Sequence, residues 1–229
     1  MDLEGKVVLV TGATGGLGTA VTQAFLDSGA SVAAVSRSTP APTGGRKNLF
    51  GIAADLTVPG EAPHAVEAAV ARFGRVDVLA HLAGGFDGGT PVGQTDDPVW
   101  TRMFDLNVHA AFYVLRAVLP GMLEAGRGRI LAIGSRTALE PAATLSAYGA
   151  SKAALVALIR TVALEVKQKG ITANVVLPSV IDTPANRAAD PSADFGKWVK
   201  PESIARLLVW LAAAGDDVNG AVIPIYGRA

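Results

Sequence analysis

Short apolar runs alternate with longer amphipathic stretches along the whole chain. Residues 6–11 (KVVLVT) are β-branched and almost continuously apolar, the pattern of a strand buried on both faces. From Gly16 to Ser28, Ala20, Ala24 and Phe25 recur at helical spacing, and Gly29 supplies the stop. The same alternation predicts further strands at 31–36, 49–54, 76–82, 129–135, 171–177 and 221–226. Between them it predicts helices at 61–73, at 97–123 with a bend near Pro120, at 146–169 and at 202–213. Strands that alternate with helices require a parallel sheet covered on both faces. Right-handed crossovers then give a doubly wound α/β fold, here a single domain over residues 1–229. Ligands of such sheets bind outside the carboxyl ends of the strands, so motifs that directly follow strands face one crevice.

Composition narrows the picture. Half of the residues are hydrophobic and 17% are charged, enough for a large core. The formal net charge is zero, so no basic excess drives nucleic-acid binding. No apolar run approaches the roughly 18 residues that span a bilayer. The start, Met1-Asp2-Leu3-Glu4, lacks the basic and apolar regions of a signal peptide. A cytoplasmic protein without membrane partners is the expectation. The absence of cysteine excludes disulfide and thiol chemistry, and His64, His81 and His109 lack metal-ligand spacing.

The first strand runs into Thr11-Gly12-Ala13-Thr14-Gly15-Gly16-Leu17-Gly18, which opens the first helix. Gly12 permits a tight turn, Gly16 lets backbone approach a pyrophosphate, and Gly18 lets the helix pack near the sheet. The helix N-terminus offers unbonded N–H groups and partial positive charge to phosphates. After the second strand, NAD-binding proteins usually carry an acidic residue for the ribose 2′-OH. This chain has Ser36-Arg37-Ser38 instead. The planar fork of Arg37, with two serine hydroxyls, suits a 2′-phosphate, which favours NADP(H) and leaves NAD(H) open. Asp55, followed by Leu56, ends the third strand, placed either to accept from an adenine amino group or to cap a turn.

Tyr148 and Lys152 lie one helical turn apart. A free tyrosine, with a pKa near 10, is a weak acid–base catalyst at neutral pH, and a neighbouring ammonium stabilises its phenolate. Ser135, thirteen residues upstream at a strand end, is placed to polarise a carbonyl oxygen while Tyr148 delivers the proton. Asn107, mid-helix, is placed to bind a water that relays protons towards Lys152.

TGATGGLG at 11–18 together with Asn107, Ser135, Tyr148 and Lys152 resembles the short-chain dehydrogenase/reductase family in its one-domain branch, over essentially the whole chain. The resemblance implies a Rossmann sheet of seven parallel strands and hydride transfer between NAD(P) and a small carbonyl or alcohol substrate. It implies that Gly12, Gly16 and Gly18 hold phosphate, with Thr14, Gly15 and Leu17 in the same turn. It further implies a triad of Ser135, Tyr148 and Lys152 extended by Asn107, cofactor contacts at Ala83, Gly84 and Pro178, and Thr183 at the nicotinamide amide. Two departures stand out: the family's Asn-Asn-Ala-Gly is His81-Leu82-Ala83-Gly84 here, and its Pro-Gly is Pro178-Ser179. His81 reads as a packing residue.

Residues 82–86 (LAGGF) and 181–198 also resemble dihydropteridine reductases, which carry an acidic residue after the second strand and generally lack the triad serine. A dihydropteridine-type reductase is therefore one alternative, and a non-catalytic NAD(P)-sensing protein on the same fold another. Phe86, Arg136, Leu139, Phe195 and Trp198 are the expected substrate walls. The resemblance also implies a homodimer or homotetramer, with helices 97–123 and 146–169 as dimer faces and the closing strand supporting a tetramer.

Overall fold

The computed structural model describes residues 2–37 and 44–228. Seven strands form one sheet: β1 (Val7–Thr11), β2 (Ser31–Ser36), β3 (Leu49–Ala53), β4 (Val78–His81), β5 (Gly128–Ile133), β6 (Ile171–Pro178) and β7 (Val222–Ile225). Their spatial order is β3-β2-β1-β4-β5-β6-β7, and every pairing is parallel. The order reverses between β1 and β4, and that point opens the crevice at the carboxyl edge.

Side-chain alternation along each strand divides the core in two. Leu9 joins one buried cluster with Ala65, Val114 and Leu155, which lie on α2 (Glu61–Phe73), on the helix that ends at Ala125, and on α5 (Ser146–Val166). Its neighbours Val8 and Val10 join the other, with Val21 and Phe25 of α1 (Gly16–Asp27) and Leu208 of α7 (Pro201–Ala213). The result is the doubly wound Rossmann architecture with helices on both faces.

The long helix predicted at 97–123 is interrupted. Residues Asp97–Phe104 form α3, Asp105–His109 form a single wide π turn, and Ala110–Ala125 form α4. Pro120 lies inside α4, so the irregularity falls at the π turn that carries Asn107 and not at the proline. Such turns concentrate at functional sites. The short α6 (Pro184–Ala189) has too few residues to show a period, and no helix was expected there. The expected strand 129–135 ends at Ile133, which leaves Ser135 beyond the ladder.

By length and composition, the continuous helical stretch Asp97–Ala125 is apolar enough to cross a membrane, contrary to the expectation from apolar runs. One face of it, with Val114, Leu115, Val118 and Met122, packs into the core, which accounts for much of its apolarity.

Candidate active site

Thr11 closes β1, and its hydroxyl organises the switch point. Its Oγ1 accepts the N–H groups of Leu82 and Ala83, each at 3.1 Å, and lies 3.0 Å from His81 Nδ1. With both acceptor positions used, the hydroxyl hydrogen goes to Nδ1 and the ring proton sits on Nε2. That Nε2 is buried and has no partner among the described residues. Burial, reinforced by the Lys152 charge, depresses His81 to a pKa of about 3. His81 is therefore a neutral packing and pinning residue, as its place in β4 suggests.

The glycine turn sits against this pinned segment. Gly12 has φ +68°, and a Cβ there would fall 2.9 Å from the backbone nitrogen of Ala83. A Cβ on Gly18 would collide with the Gly12 carbonyl, so the helix lies as close to the turn as glycine allows. At Gly16 the space of the missing Cβ is filled by Thr183, whose Cβ and Cγ2 would lie at 2.8 Å. Gly16 thus makes room for Thr183, a use of the glycine that the turn alone does not suggest. Leu17 is buried in the core, which leaves its backbone amide, not its side chain, for a ligand.

Gly12, Thr14, Gly15, Ser36, Arg37, Asp55, Leu56, Ala83 and Gly84 together line one cavity of about 270 Å³. Arg37 is exposed and forms no ion pair with a described residue; Ser38 lies outside the described residues. Asp55 Oδ1 accepts from the Thr57 backbone N–H at 3.0 Å and from its hydroxyl at 2.7 Å, the turn-capping role foreseen as one of two. Tight glycines, the open amides at the start of α1 and a cation at the far end suit a dinucleotide phosphate chain. Pro178 ends β6 buried, and the Thr183 hydroxyl accepts from the Asn186 N–H at 3.3 Å as the N-cap of α6.

The candidate catalytic groups lie next to that cavity. A Cβ on Gly84 would come within 2.7 Å of Asn107 Oδ1 and 3.3 Å of Lys152 Nζ, so the cleft abuts the Lys152 side chain directly. Ser135 caps a 3₁₀ turn at Arg136–Ala138, and its Oγ lies 2.9 Å from Thr137 Oγ1. Tyr148 and Lys152 occupy successive turns of α5. Burial raises the Tyr148 pKa above its ordinary value of 10.0, and hydrogen bonding with Ser135 pulls it partly back. This reverses the sequence expectation that Lys152 lowers the phenol. The ammonium is itself desolvated, with a pKa lowered to about 8, and donates to the Ile133 carbonyl at 3.0 Å.

Asn107 also differs from expectation. Its Oδ1 accepts the Gly85 N–H at 3.0 Å, and its Nδ2 donates to the Gly85 carbonyl at 3.1 Å and to Ser151 Oγ at 3.1 Å. Both amide hydrogens are spent on protein, so the side chain has none left to donate to a relay water. It clamps two elements instead, because Ser151 Oγ donates to the Tyr148 carbonyl at 2.8 Å. Ser151, Thr11 and Gly85 were not singled out from sequence. Serine and threonine beside a motif carry no periodic signal, and their partners are remote in the chain.

Of the expected walls, Phe86 meets the Tyr148 ring edge-on with centroids 4.9 Å apart, and Leu139 is exposed. Arg136 is taken up by Glu140 at 2.6 Å and by the Tyr226 ring. Phe195 packs on Trp198 and under Arg187, which holds Asp182 through two bonds. These last residues brace the segment between β6 and α7.

The short chain dehydrogenase family model matches residues 6–194. A short chain dehydrogenase of Penicillium brasilianum, ausX, is 31% identical, covering 98% of this chain and 96% of that protein. The 3-ketoacyl-(acyl-carrier-protein) reductase of Brucella melitensis complexed with NADH superposes with a TM-score of 0.90 at 27% identity, covering 99% of each chain. ElxO with NADP bound gives a TM-score of 0.88 at 25% identity over 97% of each chain. The narrower likeness to dihydropteridine reductases has only the segments 82–86 and 181–198 behind it. The chain belongs to the short-chain dehydrogenase family, nicotinamide-dependent oxidoreductases built on the Rossmann fold.

Proposed function

We propose that this protein interconverts a small carbonyl compound and its alcohol, with Tyr148 as the proton donor or acceptor and NADP(H) as the preferred cofactor. The carrying observation is the convergence of Ser135, Tyr148 and Lys152 at the carboxyl edge, beside a cleft that Lys152 reaches at Gly84. Gly12, Gly15, Arg37 and Gly84 would hold a nicotinamide dinucleotide, which would supply or take the hydride. The protein's own part is proton placement. With its pKa raised, Tyr148 carries its proton at neutral pH, the form needed to protonate a nascent alkoxide. Ser135 holds the substrate oxygen at the phenol. Lys152 reaches the cleft at Gly84, where its ammonium would hold ribose hydroxyls of a bound dinucleotide. Arg37 favours NADP(H), since it is free of described carboxylates and lies in the cavity wall.

Tyr148→Phe keeps the ring and its Phe86 contact while it removes the proton. The expected outcome is a loss of at least about 10²-fold in kcat, the lower end of general acid–base contributions. Cofactor affinity, read by fluorescence titration, stays within about threefold. Full turnover in that variant overturns the assignment.

A further inference from the structure

Phe86 is 67% exposed although its ring touches that of the candidate acid, Tyr148. An exposed aromatic ring is ordinary on a mobile loop. Here the backbone on both sides of the ring is tied down. Gly85, its neighbour, exchanges two hydrogen bonds with the Asn107 side chain. The same side chain reaches Ser151, and through it the Tyr148 carbonyl, so one buried amide fixes Phe86 and Tyr148 in a common frame. On the other side, Gly89 N–H donates to the Thr144 carbonyl at 2.9 Å. A Cβ built on Gly88 would collide with Leu145 and lie 3.5 Å from Phe86 Cζ, so this glycine packs between the two. Asp87, next in the chain, is tied to Arg102 and brings no free charge to the ring. Around Phe86, residues 84, 85, 88 and 89 are all glycine, so the backbone beside it carries no competing bulk.

A rigid, uncovered aromatic ring beside a proton donor is suited to being covered by the substrate. An oxygen bonded to the phenol at about 2.7 Å brings the groups beside its carbonyl close to the ring that lies 4.9 Å from Tyr148. Aromatic pairs prefer offset or edge-to-face contacts, and Phe86 has most of its surface still free for one. We propose that Phe86 determines substrate choice, and that the substrate bears a flat apolar group, an aryl or conjugated ring, next to its carbonyl. This rests on the carbonyl–alcohol reading given above.

The test uses the intact protein with NADPH, acetophenone as the aryl ketone and dihydroxyacetone as the polar aliphatic one. The wild type is expected to prefer acetophenone in kcat/KM. Phe86→Ala is expected to lower that value about 10- to 100-fold, mainly through KM, the scale on which apolar pockets discriminate. The loss on dihydroxyacetone is expected to be at least tenfold smaller, and Phe86→Trp to retain most of the preference. Equal losses on both ketones in Phe86→Ala, or a wild type that prefers dihydroxyacetone, overturns the proposal. A parallel saturation-transfer NMR measurement follows the ring protons of acetophenone on the protein with NADPH. Binding that disappears in Phe86→Ala supports the role, and no binding to the wild type overturns it. A protein that reduces dihydroxyacetone but ignores the aryl ketone keeps the carbonyl reading and loses this inference. A protein that turns over neither ketone loses the carbonyl reading, and the NMR measurement still decides the role of Phe86.

Discussion

Lys152 is only 6% exposed, and burial holds its pKa at about 8 against an ordinary 10.5. The unfolded chain keeps that proton up to about pH 10.5, the folded chain only to about 8. Between these values the unfolded state binds more protons, so folding stability rises with pH; below about 8 the full cost of the buried charge is present. Lys152→Met is therefore expected to be more stable than wild type at pH 7 by about 1–3 kcal/mol. The gap should narrow as pH rises from 8 towards 10. Urea unfolding of both proteins at pH 7 and 9.5 measures it, and a gap that ignores pH contradicts the buried-charge account. Arg37 gives a second prediction at this scale. Arg37→Ala is expected to weaken NADPH binding about 10- to 100-fold and NADH less than about threefold, because a charge-assisted fork acts only on the 2′-phosphate. Equal weakening of both cofactors in a titration removes the case for NADP(H).

The elements at the switch point depend on contacts between backbones. Gly18 on α1 presses against the carbonyl of Gly12, and an added methyl meets backbone that has nowhere to move. Gly18→Ala is expected to reduce cofactor affinity more than tenfold and to lower stability by more than 1 kcal/mol, as strained small-to-large changes do. Gly121→Ala is the control. It sits inside α4 with nothing within 4 Å of the new Cβ, and should stabilise by about 0.5–1 kcal/mol. If both variants behave alike in thermal melts and cofactor titrations, close packing at Gly18 is not the cause. All seven strands and helices α1, α2, α5 and α7 were legible because buried parallel strands and amphipathic helices leave periods in sequence. The π turn at Asp105–His109 was not, since one inserted residue barely perturbs a helical period. Ser135 was legible as a strand-end residue; its bond to Thr137 and the committed amide of Asn107 were not, because each depends on which loop lands beside which helix.

At the scale of the molecule, the outer faces of α4 and α5 leave Phe112, Leu123 and Leu164 exposed, the last at 71%. Helices that bury one apolar face and show another suit a symmetric interface between copies. We expect a mass of two or four chains of 23.3 kDa by light scattering, and Leu164→Glu should shift it towards the single chain. A wild type that scatters as one chain removes the proposal.

The sequence by itself determined the α/β class, the parallel sheet and the glycine turn after β1, and it offered Ser135, Tyr148 and Lys152 as the candidate chemistry. Those are local properties: side-chain periodicity, the backbone freedom of glycine, and residue types at fixed offsets. The tertiary structure alone decided the direction of the Tyr148 shift, the tautomer of His81, the use of Gly16 as a seat for Thr183, and the clamp by which Asn107 sets Phe86 beside Tyr148. Desolvation and hydrogen-bond satisfaction depend on what surrounds a group in space, and here the surroundings include residues 22, 44 and 167 positions apart in the chain.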